Sequence, residues 1–271
     1  MTPLLEATGL RKTFGPVVAV DDLSFTLHTG GSLGLVGESG SGKTTTARML
    51  VGLEHPDEGR ILIEGRPLTR TARGRDARIA RAKSVQIVFQ DPYLSLDGRI
   101  SIGRMLDDVL RLHGHPDRPA RISELLTQVG LGEREADALP RHLSGGQRQR
   151  AAIARALAVE PKILILDEAV SALDVSVQAQ ILNLLADIRA TADIGIIFVS
   201  HDLAVIRYLC DDAIVMHRGK AVEHQSTDTL LTAPEHPYTR LLRGSIPHRG
   251  WDPDQISRQR RALSNTDSPR R

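Results

Sequence analysis

Short apolar runs bounded by turn-forming residues punctuate the chain. Ser32-Leu-Gly-Leu-Val36 ends in Gly37-Glu-Ser-Gly-Ser-Gly42, and Val85–Phe89, Ile163–Leu166 and Ile194–Val199 are three further runs of strand length. Two of them lack in/out alternation, the pattern of strands covered by helices on both faces. A helix is expected from Lys43 to about Leu53, stopping at the turn-rich cluster Glu54–Gly59. Val17–Leu27 and Ile61–Ile63 predict antiparallel strands before and after that helix. Asp211–His217 and Ala221–Val222 predict a late hairpin turned at Arg218-Gly219. Between Asp91 and Pro161 the strand signals vanish, and Ile102–Leu112, Ala120–Val129 and Gln147–Ala158 read as helices. The pattern predicts an α/β core with a mostly parallel sheet, an N-terminal antiparallel β subdomain, and an α-helical subdomain inserted at about residues 91–160.

Composition narrows the class. The 271 residues carry 35 Lys+Arg against 33 Asp+Glu, a net charge of +2, which argues against bulk electrostatic binding to nucleic acid. Aromatics are only 3%, too few for a base-stacking platform. No apolar run reaches the roughly 18–20 residues of a membrane helix, and no secretion signal is recognisable. The single cysteine, Cys210, cannot pair within the chain, so a cytosolic protein is expected, with Cys210 a small apolar residue of the interior. Residues 248–271 are polar and hold six Arg against three Asp, leaving −1 for residues 1–247. This tail reads as a frayed terminus after one domain spanning residues 1–247.

Gly37-Glu-Ser-Gly-Ser-Gly-Lys-Thr44 fits GxxxxGK[ST] at every fixed position, between a strand and a helix. Glycines let the backbone wrap a phosphate chain with its amides inward and a helix N-terminus behind. Gly37, Glu38, Ser39, Gly40, Ser41, Gly42, Lys43, Thr44 and Thr45 are therefore the candidate ATP cradle. Lys43 would reach the β- and γ-phosphates, and the Thr44 hydroxyl would ligate Mg²⁺. The strand Ile163–Leu166 ends in Asp167-Glu168, which supplies a carboxylate for Mg²⁺ in Asp167 and a general base for the attacking water in Glu168. A second anion site is offered by Leu143-Ser-Gly-Gly-Gln147, where Ser144 is a natural helix N-cap and two glycines expose the first helical amides.

With Leu143–Gln147 in view, the sequence resembles the ATP-binding-cassette family over about residues 4–247; Leu-Ser-Gly-Gly-Gln is that family's signature. The resemblance implies a P-loop NTPase core and two cassettes packed head to tail, each signature helix capping the ATP held by the other. Ser144, Gly145, Gly146 and Gln147 would then contact nucleotide across the interface. Gln90 matches the glutamine at Mg²⁺ and the attacking water, and His201 the switch histidine at the γ-phosphate. Ser171-Ala-Leu-Asp174 matches the loop crossing the dimer interface, and Phe14 is placed like the aromatic that stacks on adenine. Every motif position needed for hydrolysis is filled, which makes Glu168, His201, Gln90 and Lys43 the catalytic set.

Three segments, Gln90–Asp97, Asp167–Leu182 and Pro234–Leu242, are similar to those of oligopeptide, dipeptide and nickel importers. That resemblance implies a second ATPase subunit, like or unlike this one, two integral-membrane permease subunits and, indirectly, an extracytoplasmic solute-binding protein. It implies a peripheral place on the cytoplasmic face of the membrane and no nucleic-acid partner. Tyr93, Leu94 and Leu96 would receive a cytoplasmic helix of a membrane subunit. Some members carry a cysteine-rich iron–sulfur extension after the His-Pro-Tyr-Thr motif; with no cysteine beyond Cys210, no cluster is expected here. The alternative is a non-transport cassette in a soluble complex, since the phosphonate carbon–phosphorus lyase cassette also resembles this sequence.

Overall fold

The computed structural model describes residues 3–68 and 74–245. Strands β1 (Leu5–Phe14), β2 (Val17–Leu27), β4 (Glu58–Ile63) and β5 (Arg66–Pro67) form an antiparallel sheet in the order β2-β1-β4-β5. Strands β3 (Ser32–Val36), β6 (Val85–Val88), β7 (Ile163–Asp167), β8 (Gly195–Ser200), β9 (Asp212–His217) and β10 (Lys220–Ser226) form the second sheet, ordered β10-β9-β3-β8-β7-β6. All its pairs are parallel except the β9–β10 hairpin, whose turn residues Arg218 and Gly219 both have positive φ, at 50° and 84°. Helix α1 (Lys43–Leu50) follows β3, and α2 (Arg75–Ser84) precedes β6. Between β6 and β7 the chain forms only helices: α3 (Ile102–Leu112), α4 (Arg118–Gln128), α5 (Glu133–Asp137), α6 (Gly145–Leu157) and two 3₁₀ turns. Helices α7 (Val175–Thr191), α8 (Leu203–Leu209), α9 (Thr227–Thr232) and α10 (Pro237–Gly244) complete the described residues.

The apolar runs without alternation are the central strands. Every residue of β3, β7 and β8 is buried because successive side chains enter different cores. Ile163 and Ile165 face the antiparallel sheet and α1, with Leu33, Leu35, Ile197 and Val199. Leu164 and Leu166 face the larger helical core, with Phe198, Ile153 and Leu185.

Several elements depart from the sequence expectation. Helix α1 ends at Leu50, three residues early, because Gly52 at φ 74° allows its N–H to reach the Met49 carbonyl and that of Leu53 to reach Arg48, closing the last turn. Strand β1 was not expected: Gly9, at φ 58°, sits where its pairing with β2 and β4 shifts register, which breaks the alternation. Ile61–Ile63 is the end of a longer strand that begins at Glu58 and pairs antiparallel with β1. Helix α2 buries no residue and shows no apolar face to read. The expected tail at residues 248–271 lies outside the described residues.

Two consequences can be measured. A Cβ on Gly34 would come within 2.4 Å of Ile206 Cγ2, so α8 lies on β3 through this glycine. Gly34→Ala is expected to lower unfolding free energy by about 1–3 kcal/mol in urea titrations, and Gly34→Ala with Ile206→Ala to cost less than the two losses added. Cys210 is buried, and burial pushes its thiol up to about 12. Iodoacetamide at neutral pH is expected to spare it in the folded chain and alkylate it fully in guanidinium chloride; rapid labelling of the native protein would contradict the packing.

Candidate functional site

Four parallel strands deliver the candidate residues to one edge. Val36 is level with Ser200, Asp167 with Val199, and Val88 with Leu166. Continuing each strand by one or two residues brings Gly37, His201, Glu168 and Gln90 out along a single carboxyl edge, where open α/β sheets bind ligands. The order of motifs along the chain thereby becomes a row in space.

The phosphate loop runs from β3 into α1. Gly37 must lack a side chain, since a Cβ would meet the Met216 carbonyl oxygen at 2.2 Å; a Cβ on Gly42 would meet the Ala19 oxygen at 2.3 Å. Lys43 Nζ donates to the carbonyls of Gly37, at 2.8 Å, and Glu38, at 2.9 Å. Burial pulls the Lys43 ammonium below its ordinary value, and the charges of Glu168, Asp167 and Glu38 oppose the shift. The Ser41 hydroxyl is buried in the loop and finds no hydrogen-bond partner among the described residues. Such an unpartnered polar atom suits a phosphate oxygen.

Thr44 Oγ1 donates to Asp167 Oδ1 at 3.1 Å. Burial raises the Asp167 carboxyl, with the Glu168 charge adding to it and the Thr44 hydrogen bond resisting. A hydroxyl and a buried carboxylate in contact, beside an amide-bearing Gln90 loop, form an all-oxygen donor set suited to Mg²⁺.

Glu168 stands in the left-handed region at φ 50°, a strained conformation for a residue other than glycine. Its N–H donates to the Val199 carbonyl at 3.0 Å, and its own carbonyl accepts from the Ser171 N–H at 3.1 Å and hydroxyl at 3.0 Å. Ser171 Oγ in turn accepts from Gln90 Nε2 at 3.0 Å. Ser171 thus ties the Gln90 loop to the Glu168 backbone, a role its place in a motif segment did not disclose. His201 Nδ1 lies 3.9 Å from Glu168 Oε2, on an imidazole that is 59% exposed.

The second candidate anion site is built on α6. Ser144 Oγ accepts from the Gln147 N–H at 3.2 Å, and Gln147 Oε1 accepts from the Ser144 N–H at 2.9 Å. This capping box leaves the amides of Gly145 and Gly146 as the helix's leading donors. Gln147 Nε2 also donates to Glu135 Oε1 at 3.3 Å, so its side chain holds the helix start in place. Gly146 is required by packing, since a Cβ there would meet Val177 Cγ1 at 2.4 Å. Asp174 caps α7 by accepting from the Val177 N–H at 3.0 Å, and this bond together with the Ser176 hydroxyl lowers its carboxyl. Helix α6 packs on α3, α4, α7 and β6, whereas α1 packs on β2, β7 and β8. The two candidate anion sites are therefore carried by helices that pack against different elements.

Phe14 is 47% exposed at the end of β1, with Lys12 Nζ 5.3 Å from its ring centre. Tyr93, in a 3₁₀ turn capped by Asp91, is half exposed, and the Arg148 guanidinium lies over its ring at 4.8 Å. Its turn and the start of α6 share a pocket of about 300 Å³ lined by Gln90, Tyr93, Gly145, Arg148 and Leu173. Leu96 is buried, so it belongs to the core and not to an exposed docking surface as expected. The side chain of Leu94 lies outside the described ones.

A sequence profile described as ABC transporter matches residues 20–171. The oligopeptide transport ATP-binding protein OppF of Bacillus subtilis is 42% identical over 255 residues, covering 90% of this chain and 82% of its own. The dipeptide transport ATP-binding protein DppF of Haemophilus influenzae is 39% identical over 259 residues, covering 91% and 79%. An ATP-binding cassette solved as a dimer in a post-hydrolysis state, bound to ADP and Pi, superposes with a TM-score of 0.73 at 27% identity, covering 82% of this chain and 98% of that one. Site geometry, sequence likeness and fold agree: the chain belongs to the ABC transporter family, as one of its ATP-hydrolysing cassettes.

Proposed function

We propose that this cassette powers the uptake of peptides by an importer, working at the cytoplasmic face of a membrane. The observation that carries the proposal is that the two candidate anion sites are borne by helices packed against different elements, which fits a nucleotide shared between two molecules, as in the related cassette solved as a dimer with ADP and Pi. The peptide-transport names of relatives that match nine-tenths of the chain support the substrate class. Among the described residues no helix is long and apolar enough to cross a membrane.

On this reading residues 1–247 act as one ATPase domain with a helical subdomain at about residues 91–160. ATP lies in the loop Gly37–Thr45 with adenine against Phe14, and Lys43, its ammonium still held by the Gly37 carbonyl, turns its remaining N–H donors toward the β- and γ-phosphates. Thr44, Asp167 and Gln90 would hold Mg²⁺, which supplies charge neutralisation between those phosphates when bound. Glu168 accepts a proton from water as its oxygen attacks the γ-phosphorus, and the bond to the β,γ-bridging oxygen breaks. His201 donates a hydrogen bond to the γ-phosphate. Across the interface, Ser144, Gly145 and Gly146 of a second cassette receive that phosphate, while Gln147 holds their helix in place and Asp174 shapes the crossing loop. ATP binds best to the closed pair, so closure pulls on two attached membrane subunits that an external solute-binding protein loads. Hydrolysis removes the bridging phosphate and lets the pair part.

Glu168→Gln keeps the shape of the side chain and removes the base. It is expected to bind ATP, to lower turnover roughly 10²–10⁴-fold, and to shift the chain toward a dimer in size-exclusion chromatography with ATP. Turnover equal to the parent's would remove Glu168 from the mechanism. Tyr93→Glu places a charge on the exposed turn. It should leave ATP binding by the isolated chain intact while abolishing co-purification with membrane subunits and peptide uptake in cells. Retained uptake would put the docking contact elsewhere.

A further inference from the structure

Nothing in the chemistry above uses the segment Pro234–Leu242, although it joins the two ends of the fold. Glu223 of β10, itself buried, accepts the backbone N–H groups of Glu235 at 2.9 Å and His236 at 3.0 Å. That fixes the turn into α10, where Pro237 opens the helix and His236 Nδ1 accepts the Tyr238 N–H at 3.2 Å. The Tyr238 ring, 2% exposed, packs 4.0 Å from the ring of His217 on β9. So directed, the Tyr238 hydroxyl oxygen accepts the N–H of Glu38 at 2.9 Å, from 200 positions away along the chain.

That N–H belongs to the same peptide unit as the Gly37 carbonyl, which receives Lys43 Nζ at 2.8 Å. In a trans peptide the N–H and C=O point in opposite directions. One rigid plane is therefore held on one side by Tyr238 and on the other by Lys43. We propose that Tyr238 is a positioning residue for ATP binding: its hydroxyl fixes the Gly37–Glu38 peptide and, through it, the place of the Lys43 ammonium.

An external restraint has a clear purpose here. Gly37 cannot carry a side chain to steady itself, because the Met216 carbonyl occupies that space, and glycine is the residue whose backbone turns most freely. Lys43 is buried, so its ammonium depends on the carbonyls that replace water. A Gly37 carbonyl free to rotate would leave the cation with a moving acceptor. The stack on His217 and the Glu223 anchor place the restraint on the sheet flank that also presents Met216 to the loop.

The proposal rests on the loop being the ATP cradle, and its test separates the two. The purified full-length chain, Tyr238→Phe and Thr227→Val are each titrated with a fluorescent ATP analogue. Tyr238→Phe keeps the ring and removes the hydroxyl that accepts from Glu38. Thr227→Val removes another buried hydrogen bond, from Thr227 Oγ1 to the Cys210 carbonyl at 2.8 Å, on the same flank but away from the loop. Tyr238→Phe is expected to weaken analogue binding roughly 3- to 10-fold, the weight of one ordinary hydrogen bond, with Thr227→Val within about twofold of the parent. Unchanged affinity in Tyr238→Phe, or equal weakening in both variants, would overturn the positioning role. A parent chain that fails to bind the analogue would instead overturn the nucleotide reading of the loop.

Discussion

Parallel register is the constraint on which the site depends. Side by side, β6, β7, β8 and β3 end at nearly one level, so each loop that leaves them starts within a strand spacing or two of its neighbour, about 5–10 Å. A slip of one residue in β7 would move Asp167 from the Thr44 hydroxyl and turn its alternating side chains into the opposite cores. Specification of that register is strong because both faces of the strand are buried in chemically complete cores. Antiparallel strands could not do this, since their connections would place successive loops at opposite edges.

The edge so formed concentrates charge under unusual conditions. Lys43 and Asp167 are both nearly inaccessible, and Glu168 lies between them and the exposed His201. Neither buried charge is directly paired with the other: the ammonium rests on carbonyls and the carboxylate on a hydroxyl. Arrangements of this kind cost stability without a ligand, because desolvation is incompletely offset. A polyphosphate with a divalent cation supplies both missing counter-charges at once, which makes nucleotide binding and local stability two readings of one interaction. Strain at Glu168 fits the same logic, since its backbone is held at the N–H by Val199 and at the carbonyl by Ser171, which Gln90 in turn bonds.

The parallel core, the late hairpin and the helices between β6 and β7 were legible in the sequence because burial on two faces, a turn dipeptide and 3.6-residue periodicity each leave a local mark. Strand β1 left none, since Gly9 interrupts its alternation where the pairing bulges. Helix α7 opens on an exposed turn, and its buried stripe of Ile181, Leu184, Leu185 and Ile188 begins only two turns later. Leu96 read as exposed because it stands among polar residues, yet its partners come from the helical core. For the site, residue types and order identified the loop, the carboxylates and the capped helix. What they could not disclose were contacts between distant segments: Ser171 to Gln90, Arg148 over Tyr93, and Tyr238 to Glu38. Such contacts are set by the register of whole elements, and no spacing along one segment encodes them.

Seen from the glycine loop, the C-terminal flank is part of the same packed unit. Strand β9 pairs with β3, the strand that launches the loop, and its Met216 carbonyl lies where any Gly37 side chain would stand. The Gly219 N–H beyond it donates to the Ser41 carbonyl at 3.1 Å, and its carbonyl accepts from the Asp21 N–H at 2.8 Å. The hairpin therefore touches the loop at both ends of the glycine run and touches the antiparallel sheet as well. A loop built almost wholly of backbone has few side chains with which to hold its own shape, so its rigidity must come from neighbours. Here those neighbours are β9, its turn and α10, which makes the shape of an N-terminal loop depend on residues nearly two hundred positions later.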